Sequence, residues 1–102
     1  MFDEQKRQAE LDKREAQLRE WSAEIDKRKA QIQQAKADAQ QESLVQLENQ
    51  LDQLITSRDA AKAELEKLRE AGESTWTSLL TTTDSLFQSA AQKFHEFVST
   101  QS

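Results

Sequence analysis

Helix breakers are almost absent from this chain, and their absence limits its fold more than any other feature. The 102 residues include no proline, and Gly72 is the only glycine. Proline and glycine are the residues that most strongly interrupt or end a helix. From residue 2 to residue 71 nothing interrupts a helix, and the dominant residues Ala, Gln, Glu, Lys, Arg and Leu are good helix formers. The sequence therefore predicts an all-α protein.

Charge divides the chain at Gly72. Residues 1–73 carry 30 of the 33 charged side chains, whereas residues 74–102 contain 12 Ser or Thr. Mixed-sign charge along the first part is typical of a solvated helix surface. The net charge of −5 argues against a general nucleic-acid binder, because affinity for phosphate backbones comes mainly from Lys and Arg. We expect no nucleic-acid partner.

The first part of the chain contains a weakened coiled-coil stripe. Large apolar residues recur there at heptad spacing: Leu11, Leu18, Trp21, Ile25 and Ile32. Arg14 and Arg28 occupy two of the d positions, where a coiled coil prefers apolar residues. A second seven-residue series runs from Ala9 to Ala37 on another face. Two interpretations of it stay open, namely helix propensity alone or a close-packing face for another helix.

A stronger coiled-coil stripe follows in residues 44–68. Eight positions alternate at spacings of three and four: Leu44, Leu47, Leu51, Leu54, Arg58, Ala61, Leu65 and Leu68. Arg58 is the polar exception, and we expect it to pair with Asp84 or to reach solvent at the edge of the stripe. The two stripes are out of register, which leaves two possibilities. Because no Gly or Pro lies between them, one continuous helix over residues 1–71 is favoured.

The alternative is a break near residues 40–43. Ser43 and Gln46 fit a capping box that would start a new helix there. A break at this point would replace the rod with a three-helix arrangement.

A third, aromatic stripe begins after Gly72. Its positions again alternate by four and three: Trp76, Leu80, Thr83, Phe87, Ala90, Phe94 and Phe97. This pattern predicts an amphipathic helix over residues 76–99, with residues 100–102 frayed. Residues 72–75 form the predicted turn: Gly72 suits the left-handed position that ends a helix, and Ser74 or Thr75 suits the N-cap of the next.

The predicted architecture is a helical hairpin, in which the shorter C-terminal helix packs antiparallel on residues 44–70. Residues 1–40 then remain uncovered, with about six large apolar groups. Burying one such group is worth roughly 1.5–3 kcal/mol, whereas ordering one residue's backbone costs roughly 1–2 kcal/mol. The arm needs a partner, so we expect a homo-oligomer, with a dimer favoured.

No catalytic, cofactor or metal constellation emerges from the sequence. There is no cysteine, and the single histidine, His95, has no ligand-type residue three or four positions away. We therefore expect a non-enzymatic protein without a cofactor or small-molecule substrate. No apolar run reaches the roughly 18 residues of a membrane span, and the N-terminus lacks a secretory h-region, so a cytoplasmic location is expected.

The aromatic helix allows one further interpretation. An amphipathic helix that carries Trp76, Phe87, Phe94 and Phe97 could lie on a lipid or granule surface. Such helices usually carry Lys or Arg on the polar face, whereas this one has Ser, Thr and only Lys93. Packing on protein is favoured, and the lipid surface is the alternative.

Two short motifs suggest a family. "WSAEID" (Trp21 to Asp26) precedes the long charged region, and "AGESTWTSL" (Ala71 to Leu79) follows it. Together they resemble a family of short bacterial coiled-coil proteins, which is poorly characterised and sometimes associated by name with stress. The resemblance implies a bacterial, helical, non-enzymatic protein.

Overall fold

The chain forms three helices. The computed structural model describes residues 3–37 and 41–99, and in these ranges it contains α1 (Glu4–Ala37), α2 (Gln41–Glu70) and α3 (Glu73–Ser99). No strand occurs in the described ranges. The all-α class predicted from the sequence is confirmed. The predicted fraying of residues 100–102 lies outside the described residues.

The first two helices lie side by side and run in opposite directions. Near one end, Arg7 Nη2 donates hydrogen bonds to the carbonyl oxygens of Arg69 and Ala71, both at 2.8 Å. Near the other end, Lys36 Nζ lies 3.8 Å from Glu48 Oε1. A continuous helix would hold Arg7 and Ala71 roughly 95 Å apart at ~1.5 Å per residue. The favoured single helix over residues 1–71 is therefore wrong.

The described residues form three helices, as in the alternative prediction of a break near residues 40–43. The connection passes through residues 38–40, which lie outside the described residues. α2 begins at Gln41, so Ser43 lies inside the helix rather than at its N-cap.

The third helix runs parallel to the first. Arg7 lies over the Trp76 ring at 4.9 Å, Arg14 Nη2 lies 2.8 Å from Asp84 Oδ1, and the rings of Trp21 and Phe94 stack at 5.4 Å. These contacts advance together along both helices, which fixes their common direction. The result is an elongated three-helix bundle that measures 58 × 21 × 18 Å.

The junction at Gly72 differs in detail from its prediction. Gly72 does not adopt the left-handed conformation, and nothing lies within 4 Å of where its Cβ would stand. Its carbonyl oxygen accepts hydrogen bonds from the backbone N–H groups of Thr75 and Trp76, at 3.2 and 3.0 Å. This is the role of an N-cap carbonyl. Gly72 therefore starts α3, and the predicted N-cap at Ser74 or Thr75 is wrong because both lie within the first turn.

The start of α1 carries a cap that the sequence analysis did not identify. Asp3 Oδ1 accepts hydrogen bonds from the backbone N–H groups of Gln5 and Lys6, at 2.9 and 3.4 Å. The backbone oxygen of Asp3 accepts from the N–H of Arg7 at 2.9 Å. Asp is among the strongest N-cap residues because its carboxylate satisfies amides that have no partner inside the helix.

The core runs between all three helices. One continuous cluster of buried side chains draws on each of them: Leu11, Trp21, Ile25, Leu54, Ala61, Leu65, Leu68, Phe87, Ala90 and Phe94. Trp21 contacts two rings of α3, with centroid distances of 5.3 Å to Phe87 and 5.4 Å to Phe94. The apolar stripe of α1, which seemed to require a second chain, is covered by α2 and α3 of the same chain.

Candidate interaction site

A buried charge cluster joins α1 to α3. Arg14 is only 6% exposed, and it donates hydrogen bonds to Glu10 Oε1 at 2.9 Å and to Asp84 Oδ1 at 2.8 Å. Its guanidinium carbon lies 4.9 Å from the centre of the Phe87 ring. Two carboxylates and an aromatic face therefore surround one cation. Such a cluster specifies which residues of α1 and α3 stand opposite each other.

The guanidinium of Arg14 stays protonated in this position. Burial opposes the charged guanidinium, but its hydrogen bonds to Asp84 and Glu10 and the two negative charges outweigh burial. The pKa of Arg14 is therefore raised above its ordinary value. The cluster holds a permanent ion, so its role is positioning rather than proton transfer.

The partner of Asp84 differs from the expected one. Two alternatives are predicted for Arg58, and the pairing with Asp84 is not the one found, because Asp84 pairs with Arg14. Arg58 Nε donates to Asp59 Oδ1 at 2.9 Å, and its Nη1 donates to Ser22 Oγ of α1 at 3.0 Å. Arg58 is partly exposed, which agrees with the second alternative, that it reaches solvent at the edge of the stripe. The first alternative does not hold because Asp84 faces Arg14 of α1.

At one end of the described bundle, α1 and α2 extend beyond Ser99, the last described residue of α3. α1 and α3 start level with each other, as the Arg7–Trp76 contact shows, but α1 has 34 residues and α3 has 27. The difference of seven residues leaves α1 and the start of α2 projecting about 10 Å beyond Ser99, at ~1.5 Å per residue. We call this projection, residues 30–37 of α1 and 41–50 of α2, the two-helix tip.

Burial of the leucines of α2 decreases toward the two-helix tip. Leu54, Leu65 and Leu68 are fully buried, whereas Leu44 and Leu47 of the same stripe are half-buried. Neither Leu44 nor Leu47 belongs to the main core cluster. The exposed large hydrophobic residues of the described chain also lie toward this end: Val45 is 60% exposed and Val98 is 47% exposed. The tip therefore carries incompletely buried apolar residues of α2, namely Leu44, Val45 and Leu47.

The structure separates the predicted packing residues into three groups. The buried residues are Leu11, Trp21, Ile25, Ile32, Leu54, Leu65, Leu68, Phe87 and Phe94. The half-buried residues are Leu18, Leu44, Leu47, Leu51, Arg58, Trp76, Leu80 and Phe97. The predicted turn residues Gly72 and Ser74 are exposed. Most of these apolar residues meet in the core of one chain, and Ile32, Leu44 and Leu47 lie outside its main cluster.

Two arginines of α1 are buried, which heptad spacing does not indicate. Arg14 and Arg28 are 6% and 5% exposed, whereas the stripe pattern predicts only weak points at these positions. A signal was present, because each follows a glutamate four residues earlier, a spacing that places both side chains on one helix face. The alanine series did not form a packing face, since Ala9, Ala23 and Ala30 are exposed.

The described residues also form a groove away from the tip. This groove, of about 500 Å³, lies between the first turns of α1 and α3 and is lined by Lys6, Arg7, Glu10 and Trp76 among others. Arg7 is already committed there to the end of α2 and to the Trp76 ring. Within residues 3–37 and 41–99, no group of His, Asp and Glu is arranged to hold a metal ion. In the same ranges no helix is long and apolar enough to cross a membrane.

Comparison with known proteins gives no relative. The chain matches no protein-family model, and no curated protein or solved structure is significantly similar to it. Function must therefore be inferred from the molecule's own surfaces, of which the two-helix tip is the most distinctive.

Proposed function

We propose that this protein acts without catalysis, as a helical scaffold that associates with further copies of itself, with a dimer favoured. The observation that supports this proposal is the apolar surface of the two-helix tip, where Val45 is exposed and Leu44 and Leu47 are only half-buried. Apolar surface of this kind marks protein–protein contact more often than catalysis. Its resemblance to short bacterial coiled-coil proteins agrees with the proposal and adds a link to stress by name alone.

The reason for association differs from the one that the sequence suggested. The sequence implied that the whole stripe of α1 required a second chain. In the structure Leu11, Trp21 and Ile25 are buried within one chain, so the monomer has its own core. What remains for a partner is the tip. The proposal is therefore a folded monomer that dimerises weakly, rather than a chain that folds only as a dimer.

The alternative function is binding of α3 to a lipid or granule surface. Its aromatic face would have to leave the bundle, because Phe87 and Phe94 are buried against Trp21 of α1. Removing two large aromatic side chains from a core costs several kcal/mol. Self-association exposes no buried residue and is the better-supported function.

Sedimentation of the full chain separates the two functions. We would measure its mass over a wide concentration range, alone and with neutral phosphatidylcholine or anionic phosphatidylglycerol vesicles, and record tryptophan fluorescence in parallel. The proposal predicts a reversible increase in mass with concentration and no change in the emission of Trp21 and Trp76 when vesicles are added. Co-sedimentation with vesicles, together with a shift in tryptophan emission, would support the lipid alternative. A monomer at every concentration would refute self-association.

A further inference from the structure

A groove between the middle turns of α1 and α2 collects basic side chains. Three of the residues that line it are basic, namely Arg19, Arg58 and Lys62, and one, Asp26, is acidic. Its volume of about 460 Å³ is in the range of pockets that hold small molecules. The chain as a whole has a net charge of −5, so the charge balance of this groove is opposite in sign to that of the molecule. We call it the basic groove.

The basic groove differs in this respect from the groove between the first turns of α1 and α3. That groove is lined by three carboxylates against two cations: Asp3, Glu10 and Glu73 against Lys6 and Arg7. Both grooves lie between helices and have similar volumes. The excess of cations is therefore a property of the basic groove and not of every groove on this molecule.

Arg58 is held in a fixed position in the basic groove. Its Nε donates to Asp59 Oδ1 at 2.9 Å, and its Nη1 donates to Ser22 Oγ at 3.0 Å. A guanidinium has further N–H donors beyond these two, and a serine hydroxyl that accepts a hydrogen bond keeps its own O–H to donate. Arg58 and Ser22 thus form an oriented pair of donors that spans the two helices.

The other two cations have no partner of their own. Among the described residues, neither Arg19 nor Lys62 forms an ion pair or a side-chain hydrogen bond, and both side chains are exposed. Lys62 follows Arg58 by one helical turn, and because α2 runs antiparallel to α1 this places Lys62 level with the turn of α1 that contains Arg19. Asp26 lies one turn beyond Ser22 in the opposite direction. The cations therefore gather at one end of the basic groove, where a cleft lined by one sign of charge attracts the opposite sign.

We propose that the basic groove binds a small soluble molecule that carries two linked phosphate groups. The planar fork of an arginine matches phosphate oxygens, and a lysine adds charge beside it. Single exposed charge pairs are weak, so the anion must meet several cations at once, which favours two linked phosphates over one. Leu18 and Ala23 provide an apolar wall for the organic part of the molecule. The site uses no residue of the two-helix tip and does not depend on self-association.

Isothermal titration calorimetry of the full chain with sodium pyrophosphate tests the site. We expect saturable binding of one pyrophosphate per chain at low ionic strength, and weaker binding as salt is added. Orthophosphate should bind at least about fivefold more weakly, because it carries less charge and meets fewer of the cations. Absence of saturable pyrophosphate binding at low ionic strength would overturn the proposal.

Matched lysine variants locate the binding. Lys62→Gln removes an exposed cation of the basic groove, and Lys13→Gln removes the same charge from an exposed lysine of the groove between α1 and α3. Lys62→Gln should weaken pyrophosphate binding about threefold to fivefold, whereas Lys13→Gln should change it by less than about twofold. Arg58→Gln should weaken binding about tenfold, because it removes charged hydrogen-bond donors. Equal effects of Lys62→Gln and Lys13→Gln would mean that the anion meets only diffuse surface charge, and would overturn the site.

A variant that strengthens binding provides the complementary test. Asp26→Asn removes the one carboxylate among the residues that line the basic groove, and Asp52→Asn removes a carboxylate from an exposed position of α2 that does not line it. Asp26→Asn should tighten pyrophosphate binding about twofold to threefold, and Asp52→Asn should change it less. Tighter binding by Asp52→Asn than by Asp26→Asn would contradict the placement of the site.

Phosphatidic acid vesicles distinguish a soluble ligand from a lipid headgroup. A soluble ligand predicts that the full chain binds pyrophosphate and does not co-sediment with these vesicles. Co-sedimentation that Lys62→Gln abolishes and Lys13→Gln preserves would assign the basic groove to a lipid headgroup and overturn the proposed soluble ligand.

Discussion

The two ends of the bundle are built from the same kinds of residue and have different surfaces. At the Gly72 end three helices meet, Leu65 and Leu68 are fully buried, and Arg7 bonds to the last carbonyl oxygens of α2 and its loop. At the two-helix tip only two helices meet, and Leu44 and Leu47 of the same stripe are half-buried. The difference follows the described lengths of the helices, because α1 and α2 extend beyond Ser99 of α3. A regular stripe thus forms core at one end and a candidate interface at the other.

The largest expected contrast is between matched leucines of α2. Leu65→Ala should lower the free energy of unfolding by about 3 kcal/mol, because it leaves a cavity among three helices. Leu47→Ala should cost only about 1 kcal/mol, because its side chain is already partly in water. Urea unfolding at low protein concentration measures both values. Equal losses would mean that the tip is as closely packed as the Gly72 end.

The second-largest contrast is between substitutions of the two buried arginines, which should lower the free energy of unfolding by different amounts. Arg14→Gln should destabilise the monomer by about 2 kcal/mol, since it leaves two carboxylates and the Phe87 ring without their cation. Arg28→Gln should cost about 1 kcal/mol, because only Glu24 loses a partner. The pKa of Arg14 is raised, so its contribution is complete below its ordinary pKa and is lost only as pH rises through the higher folded value. Thermal unfolding should therefore show the same loss of stability for Arg14→Gln throughout the neutral pH range. If Arg14→Gln lost less stability than Arg28→Gln, the two carboxylate partners of Arg14 would not stabilise the fold as expected.

The polar contacts that close each end provide a smaller contrast. Arg7→Ala should cost about 1–2 kcal/mol, because it removes two hydrogen bonds to backbone carbonyls and a contact with the Trp76 ring. Lys36→Ala should cost less than about 0.5 kcal/mol, because its ion pair with Glu48 is long and exposed. Chemical denaturation of the two variants in parallel measures both losses in the free energy of unfolding. A larger loss from Lys36→Ala would show that the tip is held by charge.

The smallest expected effect is at Gly72. Ser is a better N-cap than Gly, and the space around the missing Cβ is open, so Gly72→Ser should raise the free energy of unfolding by a few tenths of a kcal/mol. Gly72→Ala serves as the control for the added Cβ alone. A loss of about 1 kcal/mol or more in both variants would mean that the residue needs the left-handed conformation that the sequence first suggested.

Helical class and most of the core could be predicted from the sequence. Heptad spacing identified Trp21, Leu54 and Phe87 as packing residues because the period of a helix places them on one face. It also placed the start of the last helix close to Gly72. These features depend on local geometry, which the order of residues specifies directly.

The turn between α1 and α2 and the partner of Asp84 could not be predicted in the same way. No Gly or Pro marks residues 38–40, so the fold-back is a consequence of tertiary packing: burying Trp21 against Phe87 and Phe94 outweighs the continuity of one helix. With α1 packed beside α3, Arg14 rather than Arg58 reaches Asp84. The candidate site escaped prediction for the same reason, since a tip exists only when three helices of unequal length align.

Hydrogen–deuterium exchange along α2, measured at low and at high protein concentration, tests the contrast between the two ends most directly. At low concentration the amides of residues 44–50 should exchange faster than those of residues 54–68, because the tip opens without unfolding the three-helix core. At high concentration exchange in residues 44–50 alone should slow, as a second copy covers the tip. Uniform protection along α2 that does not change with concentration would contradict the account.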